Sequence, residues 1–240
     1  MNILAIGAHP DDIEESCGGT LAKYVKQGHK VFTATATNGN IGSATLPMDE
    51  IARIRKEEAR RAAAIIGAEY ICLDYDDEMF FEDKAARINF INLVRYCKAD
   101  VILTHSPHDY NPDHELTSKI INDIAVMIPI AKIETKAKPY DKIPIIAYFE
   151  TVHGLGFIPT EYVDITEEIE IKKAMCAEHK SQISWMQDNY KDALGNGDKN
   201  FFDGVITMAK FRGMQCGVEY AEGFRMANDA FRVVPRRILP

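Results

Sequence analysis

Short β-branched segments alternate with longer amphipathic segments through the first 150 residues of the chain. The longer segments carry apolar residues three and four positions apart, the spacing of a helix with one buried face. A strand followed by a helix and a second strand forms a βαβ unit, in which the two strands run parallel. The pattern therefore predicts an α/β fold built on a Rossmann-like, mostly parallel sheet that is flanked by helices.

The predicted elements follow one another at short intervals. The predicted strands are Ile3–Ala8, Val31–Thr37, Tyr70–Leu73, Val101–Thr104 and Ile145–Phe149. The predicted helices are Gly18–Gln27, Asp49–Ile66, Ala85–Cys97 and His114–Met127.

The alternation changes after about residue 150. Tyr162–Ile165 fits a short strand, and Thr166 fits the cap of a helix that runs through Cys176. The part from Asp198 to Met226 has a mainly helical pattern. Because no clear linker or internal repeat divides the chain, we expect one domain over residues 1–240, with a mainly helical C-terminal extension from about 150 to 240.

Charge and cysteine content limit the classes of function. The 28 Lys and Arg residues are outnumbered by 36 Asp and Glu, for a net charge of −8, so no basic stripe is available for nucleic acid. The 5 cysteines are widely spaced and form no CxxC pair. No run approaches the ~20 apolar residues that cross a bilayer, and the N-terminus lacks a signal-peptide pattern. We therefore expect a cytoplasmic protein that binds neither nucleic acid nor membranes.

Two polar loops follow the first and fourth predicted strands. One reads His9-Pro-Asp-Asp12, and the other runs from His105 to His114 and holds three histidines and two aspartates. Parallel sheets bind ligands outside the carboxyl ends of their strands, so the two loops can meet in one crevice. Two nitrogens and one carboxylate from separate loops would make a three-ligand site typical of catalytic zinc, and the same donors accept iron(II), cobalt or manganese.

Each loop taken alone also has a purely structural interpretation. Asp and Pro are common in turns, and Asp12 could simply cap the helix that follows it. Asp109 or Asp113 could do the same for the helix near His114. The joint position of the two loops at strand carboxyl ends favours the metal site.

The same residues carry a resemblance to a known family. The segments "AHPDD" at Ala8–Asp12 and "THSPHDYNPDH" at Thr104–His114 are its specific motifs, and "RKEEARRAAAIIGA" from Arg55, "HKSQ" from His179 and "EYAEGFR" from Glu219 support it. The chain resembles the PIG-L/LmbE-like deacetylases, zinc hydrolases that remove acetyl groups from N-acetylglucosamine-type substrates.

The resemblance implies a role for particular residues. It implies that His9, Asp12 and His114 bind zinc, that Asp11 is the general base, and that Arg55 contacts the substrate. It also implies a small N-acetylated amino sugar or conjugate as substrate and, since relatives often form trimers or hexamers, a homo-oligomer.

Asn111 is the main departure from the family pattern. The family usually has a histidine there, which assists at the oxyanion or the leaving group, whereas asparagine donates a hydrogen bond but delivers no proton. We retain Asn111 as a catalytic candidate and keep two alternatives open. The protein could hydrolyse another amide, as a thiol-conjugate amidase does, or it could bind a metal or sugar with weakened catalysis.

Several other residues have competing interpretations. His105 and His108 could replace the missing histidine, although exposure is the better interpretation of His108. His179 fits packing first, and the acidic run Asp74–Asp77 fits an acidic rim. Trp185 and Tyr190 could stack on a sugar or pack in the core, and without the family resemblance Arg55 would fit a surface salt bridge.

Overall fold

A single mixed sheet organises the described part of the chain, which in this computed structural model comprises residues 1–189, 201–228 and 239–240. Within those residues seven strands form the order β3-β2-β1-β4-β5-β7-β6. They are β1 (Asn2–Gly7), β2 (Lys30–Thr37), β3 (Glu69–Tyr75), β4 (Val101–Thr104), β5 (Ile145–Phe149), β6 (Glu161–Asp164) and β7 (Ala221–Met226). The first five pair in parallel and β7 runs antiparallel to both of its neighbours, so the predicted mostly parallel α/β sheet is confirmed.

The helices lie on both faces of this sheet. They are α1 (Asp12–Lys26), α2 (Met48–Ile65), α3 (Lys84–Cys97), α4 (Pro112–Ile124), α5 (Ile169–Cys176), α6 (Lys180–Asn189) and α7 (Phe201–Cys216). Most begin within two residues of the predicted start, but α1 begins at Asp12 rather than Gly18. A non-helical residue, Cys17 with φ −143°, kinks α1 where the prediction placed its beginning. Within the described residues no helix is both long and apolar enough to span a bilayer.

Alternating residues of β1 supply both halves of the hydrophobic core. Leu4 and Ile6 pack on the face covered by α3 and α4, whereas Ile3 and Ala5 pack on the face covered by α1 and α5. All four side chains are fully buried. Because a strand points successive side chains to opposite faces, an uninterrupted apolar strand indicates a sheet that is covered on both sides.

The C-terminal extension also contributes strands to the sheet. Ala221–Met226 forms β7 beside β5, so the prediction of a helical pattern up to Met226 is wrong for these last residues. The predicted Thr166 cap is also wrong, because α5 starts at Ile169 and the Thr166 hydroxyl instead accepts the Tyr220 N–H at 3.3 Å. Tyr190 and Asp198 lie outside the described residues.

A buried glutamate of β7 fastens the extension to α1. The Glu222 carboxylate accepts the Gly19 N–H at 3.0 Å and the Thr20 N–H at 2.7 Å. These amides open the part of α1 that follows the Cys17 kink, so Glu222 serves as the cap of a restarted helix. Lys172 of α5 donates to the same carboxylate at 2.5 Å.

Candidate metal centre

The two polar loops start side by side at the carboxyl ends of β1 and β4. Ile6 is paired with Thr104 in the sheet, so the chain leaves both strands at the same edge. Gly7 lets α1 turn back closely on β1, because a Cβ at this position would lie 2.7 Å from the Asp12 Cβ. Asp11, between strand and helix, has a φ of 132°, a conformation that non-glycine residues rarely adopt.

The structure brings two ring nitrogens of His9 and His114 close to both carboxylate oxygens of Asp12. His9 Nδ1 lies 3.2 Å from His114 Nε2, and Asp12 places Oδ1 3.3 Å from His114 Nε2 and Oδ2 3.5 Å from His9 Nδ1. Zinc bonds of about 2.0–2.1 Å in a tetrahedral site set neighbouring donors about 3.3–3.4 Å apart. One ligand atom of each of the three residues lies within 4.8 Å of the other two, so the side chains are close enough to hold one metal ion.

Each of these histidines faces a second carboxylate through its other ring nitrogen. His9 Nε2 lies 3.0 Å from Asp77 Oδ1, and His114 Nδ1 lies 3.1 Å from Asp109 Oδ1. A carboxylate in this position fixes the tautomer and orientation of a metal-binding imidazole. Sequence reasoning missed both contacts, and Asp77 is 5% exposed rather than part of an acidic rim.

The carboxylates dominate the electrostatics of the cluster. Burial lowers the pKa of His114, but Asp12 and Asp109 outweigh it and raise that pKa to about 9. Burial raises the pKa of Asp12, but His114 and His105 outweigh it and hold that pKa well below its usual range. This surplus of negative charge stabilises a cation beside the two imidazoles. Protons and a divalent metal ion therefore compete for the same imidazole nitrogens and carboxylate oxygens.

Arg55 is buried against the first loop and holds Asp11. Its Nη2 donates to Pro10 O at 2.9 Å and to Asp11 Oδ2 at 3.2 Å, and its Nη1 donates to Gly39 O at 3.3 Å. A Cβ on Gly39 would lie 2.5 Å from Nη1, so glycine makes room for the guanidinium. The side chain is 4% exposed, which is not the surface salt bridge of the alternative interpretation. Burial raises the pKa of Asp11, and Arg55 opposes that shift.

Asn111 caps α4. Its Oδ1 accepts the backbone N–H of Asp113 at 2.8 Å and that of His114 at 3.2 Å, and its Nδ2 donates to Glu78 Oε1 at 2.7 Å. The cap is therefore Asn111, not Asp109 or Asp113, and it sets the backbone of His114 directly. Asp12 does not cap α1, since its Oδ2 accepts the His9 N–H at 2.7 Å.

The other candidate histidines differ in their surroundings. His105 stacks on His114 with ring centroids 3.9 Å apart, and its Nε2 lies 3.0 Å from Asp12 Oδ2. Burial and the neighbouring His114 lower the pKa of His105 to about 4. His108 is exposed, whereas His179 is buried with its Nε2 3.2 Å from Glu14 Oε2.

Two relatives with known names resemble the chain over most of its length. The diacetylchitobiose deacetylase of Thermococcus kodakarensis is 26% identical over 246 aligned positions, which cover 95% of this chain and 84% of the relative. The 4-oxalmesaconate hydratase of Pseudomonas putida is 27% identical over 235 positions, 92% of this chain and 87% of the relative. The chain is therefore about equally identical in sequence to two proteins whose names state different activities.

A solved structure shares the fold, and a family model matches the first half of the chain. The N,N′-diacetylchitobiose deacetylase of Pyrococcus horikoshii superposes with a TM-score of 0.78 at 25% identity, covering 94% of this chain and 83% of that one. The model of the family described as PIG-L, GlcNAc-PI de-N-acetylase, matches residues 4–125, which contain most of β1, all of β2 to β4 and both polar loops. The chain belongs to the PIG-L family.

Proposed function

We propose that the protein is a zinc-dependent hydrolase that removes the acetyl group from an N-acetylglucosamine-type substrate. Membership in the family and deacetylase relatives support an amidohydrolase. The observation that carries the proposal is the cluster of His9 Nδ1, His114 Nε2 and the Asp12 carboxylate, with contacts of 3.2–3.5 Å between them. Zinc suits two imidazoles and a carboxylate, and iron(II), cobalt or manganese could occupy the same donors.

A bound metal would supply a Lewis acid and lower the pKa of a water molecule. The chain's own residues then have separate tasks. His9, Asp12 and His114 hold the ion, while Asp77 and Asp109 orient the two imidazoles. His9, His114 and Asp77 are buried, which limits the access of bulk water to these side chains.

Asp11 is placed to handle the proton of the nucleophilic water. Its Oδ2 accepts from Arg55, which leaves Oδ1 as the oxygen not bound to the guanidinium. Burial has raised its pKa, which makes the carboxylate a better proton acceptor. Asp11 can later return that proton to the leaving amine, since Asn111 has no proton to give. Arg55 supports this role by fixing Asp11, and a direct substrate contact stays a prediction.

A hydratase is the second candidate function. The 4-oxalmesaconate hydratase aligns with 92% of this chain, nearly the same share as the 95% aligned with the diacetylchitobiose deacetylase. Both reactions add the elements of water, so the metal cluster alone does not separate them. Hydrolysis of a thiol-conjugate amide and metal or sugar binding with weakened catalysis stay open as well.

A panel assay with the zinc-loaded protein tests the proposal. We expect acetate release from N-acetylglucosamine-type substrates, loss of the activity with a chelator, and its return with zinc. The Asp11→Asn variant is the control for contaminating activity. Water addition to 4-oxalmesaconate without any acetate release would identify the hydratase instead, and binding of zinc and sugar without turnover would identify the binding protein.

Assembly and location stay predictions. We propose a trimer or hexamer, as the family resemblance suggests, and we retain the cytoplasmic location expected from the sequence. Light scattering of the purified full chain measures the mass of the assembly, and a single protomer mass would contradict it.

A further inference from the structure

Carboxylates outnumber cationic side chains around the metal centre. The acidic residues that contact the cluster are Asp11, Asp12, Asp77, Glu78, Asp109 and Asp113. Within the described residues, Arg55 is the one lysine or arginine that pairs with any of them, with Nη2 3.2 Å from Asp11 and Nη1 3.6 Å from Asp77. A divalent ion and one guanidinium therefore leave an excess of negative charge beside neutral imidazoles, and such an excess attracts cations and repels anions.

The guanidinium of Arg55 is already bound to the protein at both terminal nitrogens. Its Nη2 donates to Pro10 and Asp11, and its Nη1 donates to Gly39. The side chain is also buried. A phosphate or carboxylate of a substrate would therefore meet carboxylates at the metal centre rather than a free guanidinium.

Glu78 is the one of these acidic residues that pairs with neither Arg55 nor a histidine in the described part of the chain. Its Oε1 accepts from the Asn111 amide at 2.7 Å, whereas no described residue donates to its Oε2. One carboxylate oxygen of Glu78 lies within 4.8 Å of a ring nitrogen of His9 and of an Asp77 oxygen. Because Glu78 is half-buried while Asp77 is buried, Glu78 presents a free carboxylate oxygen to a molecule at the metal centre.

The position of Glu78 is fixed from two sides. Its backbone N–H donates to Asp113 Oδ2 at 2.8 Å, and its side chain holds the Asn111 amide. Its φ of 60° is a left-handed conformation that non-glycine residues rarely adopt. A carboxylate that is held in place before a ligand arrives loses little conformational entropy when it binds that ligand.

Exposed apolar side chains lie next to Glu78 and Asn111 in the sequence. Met79 follows Glu78 and is 67% exposed, and Tyr110 precedes Asn111 and is 75% exposed. The Tyr110 ring also packs on the His114 ring, with centroids 5.7 Å apart, so it lies at the metal centre. A carboxylate beside an exposed aromatic ring suits an organic ammonium, which pairs with the carboxylate and is attracted to the face of the ring.

We infer that Glu78 binds a protonated amine in the group attached to the N-acetylated sugar, so that the protein prefers substrates with a cationic attached group. The ammonium pairs with the free Oε2 of Glu78 while the acetamide occupies the metal centre. A neutral group gains no such ion pair, and an anionic group is repelled by the surrounding carboxylates. This inference rests on the proposed function, since it takes the metal centre as the site of the reacting acetamide.

Three glycosides of N-acetylglucosamine with attached groups of similar size test the charge preference. They are the 2-aminoethyl, propyl and 2-carboxyethyl glycosides, which end in an ammonium, a methyl and a carboxylate. We measure kcat/KM for acetate release in the zinc-loaded full chain, and affinity by calorimetry in the zinc-loaded Asp11→Asn variant, which shows binding without turnover. We expect the 2-aminoethyl glycoside to bind about tenfold more tightly than the propyl glycoside, the value of a charged hydrogen bond. The 2-carboxyethyl glycoside should bind more weakly than both.

A matched pair of variants connects the preference to Glu78. Glu78→Gln removes the charge but keeps an amide oxygen to accept from Asn111, and it should reduce the affinity ratio of the 2-aminoethyl to the propyl glycoside to about one. Asp74→Asn removes a charge from a nearby position, and its ratio should match that of the unchanged protein because Asp74 is 57% exposed and pairs with Lys56. Zinc content is measured on every sample, so that loss of the ion is not mistaken for loss of the preference.

Three results would overturn the inference. They are equal affinity for the 2-aminoethyl and propyl glycosides, tighter binding of the 2-carboxyethyl glycoside, and an unchanged preference in zinc-loaded Glu78→Gln. Acetate release from all three glycosides at equal kcat/KM would also contradict it, while supporting the proposed reaction. Preferential binding of the 2-aminoethyl glycoside without acetate release from any probe would support the role of Glu78 and contradict the proposed reaction.

Discussion

Asp109 Oδ1 lies 3.1 Å from His114 Nδ1, on the side of the imidazole opposite the nitrogen that faces His9 and Asp12. The Asp109 carboxylate is 1% exposed. A carboxylate at this distance favours a proton on Nδ1, so Nε2 is the nitrogen that we propose as the donor atom for a metal. His9 and Asp77 repeat the arrangement with the ring nitrogens exchanged, since there Nε2 faces the carboxylate and Nδ1 faces Asp12 and His114.

The first prediction tests this orientation. Asp109→Asn should leave zinc bound but weaken its affinity by about 10–100-fold, the usual effect of losing a carboxylate behind a histidine ligand. His114→Ala removes a ligand outright and should lose most of the bound metal. Competition with a chelating dye measures both affinities.

Asp74→Asn is the matched control, because Asp74 is 57% exposed, pairs with Lys56 and contacts neither His9 nor His114 within the described residues. Its zinc affinity should equal that of the unchanged protein. Equal affinities for Asp109→Asn and this control would show that Asp109 does not position His114.

The second prediction separates the adjacent aspartates. Asp11→Asn should keep its zinc and lose about 10²–10⁴-fold in turnover, the usual effect of removing a general base. Asp12→Ala should lose metal first, because its carboxylate lies 3.3 Å from His114 Nε2. Metal analysis and kcat are measured on the same samples, and the reverse pattern would exchange the two roles.

The fold was predictable wherever local pattern and tertiary environment agree. β1, β2, β4 and β5 are apolar, β-branched segments whose pattern already reflects burial between two helical layers. β7 was missed because its sequence, Ala-Glu-Gly-Phe-Arg-Met, has no β-branched residue and includes a glycine. It is a strand because β5 and β6 pair with it and because Glu222 fastens it to α1, and neither contact is visible in a local window.

The site was predictable in its motifs but not in its long-range partners. The loops at the ends of β1 and β4 contain His9, Asp12 and His114, and the sheet order brings them together. Asp77 reaches His9 from the loop after β3, which is not a neighbour of β1 in the sheet. In the sequence, only the acidic run Asp74–Asp77 at the carboxyl end of β3 indicated that Asp77 could reach the site. Asn111 caps α4, and comparing the residue at this position with the usual family histidine does not reveal that cap.

The third prediction concerns acid stability far from the metal centre. Burial raises the pKa of Asp100, but hydrogen bonds from Lys142, the Asn2 N–H and Tyr140 outweigh it and hold the pKa below its ordinary value. A carboxylate with a lowered folded pKa stabilises the protein above its unfolded pKa of about 3.9, and this contribution is lost as the pH falls through the folded pKa.

Asp100→Asn should therefore lower the free energy of unfolding at neutral pH by about 1.5–3 kcal/mol, the value of hydrogen bonds to a charged group. The difference from the unchanged protein should shrink below about pH 4. Urea unfolding of the metal-free protein at several pH values measures it, with the exposed neighbour Asp141→Asn as the control. A difference that does not depend on pH would contradict the assignment.

The last prediction concerns Asn111, where the chain departs from its family. Because its Oδ1 accepts two N–H groups of the first turn of α4, Asn111→Ala should lower the free energy of unfolding by about 0.5–2 kcal/mol. Its effect on kcat should be modest, since asparagine delivers no proton.

Two further substitutions separate the cap from the chemistry. Asn111→Asp keeps the cap acceptor but places a carboxylate against Glu78, whose Oε1 lies 2.7 Å from the Asn111 amide, so adding Glu78→Gln should restore stability. Asn111→His should add a dependence of kcat on a group with a pKa near 6.5 if the side chain reaches the scissile amide. Thermal unfolding and kcat/KM from pH 5 to 9 are measured on the same proteins. A large fall in kcat for Asn111→Ala with unchanged stability would show that the asparagine acts on the substrate itself, rather than through the position of His114.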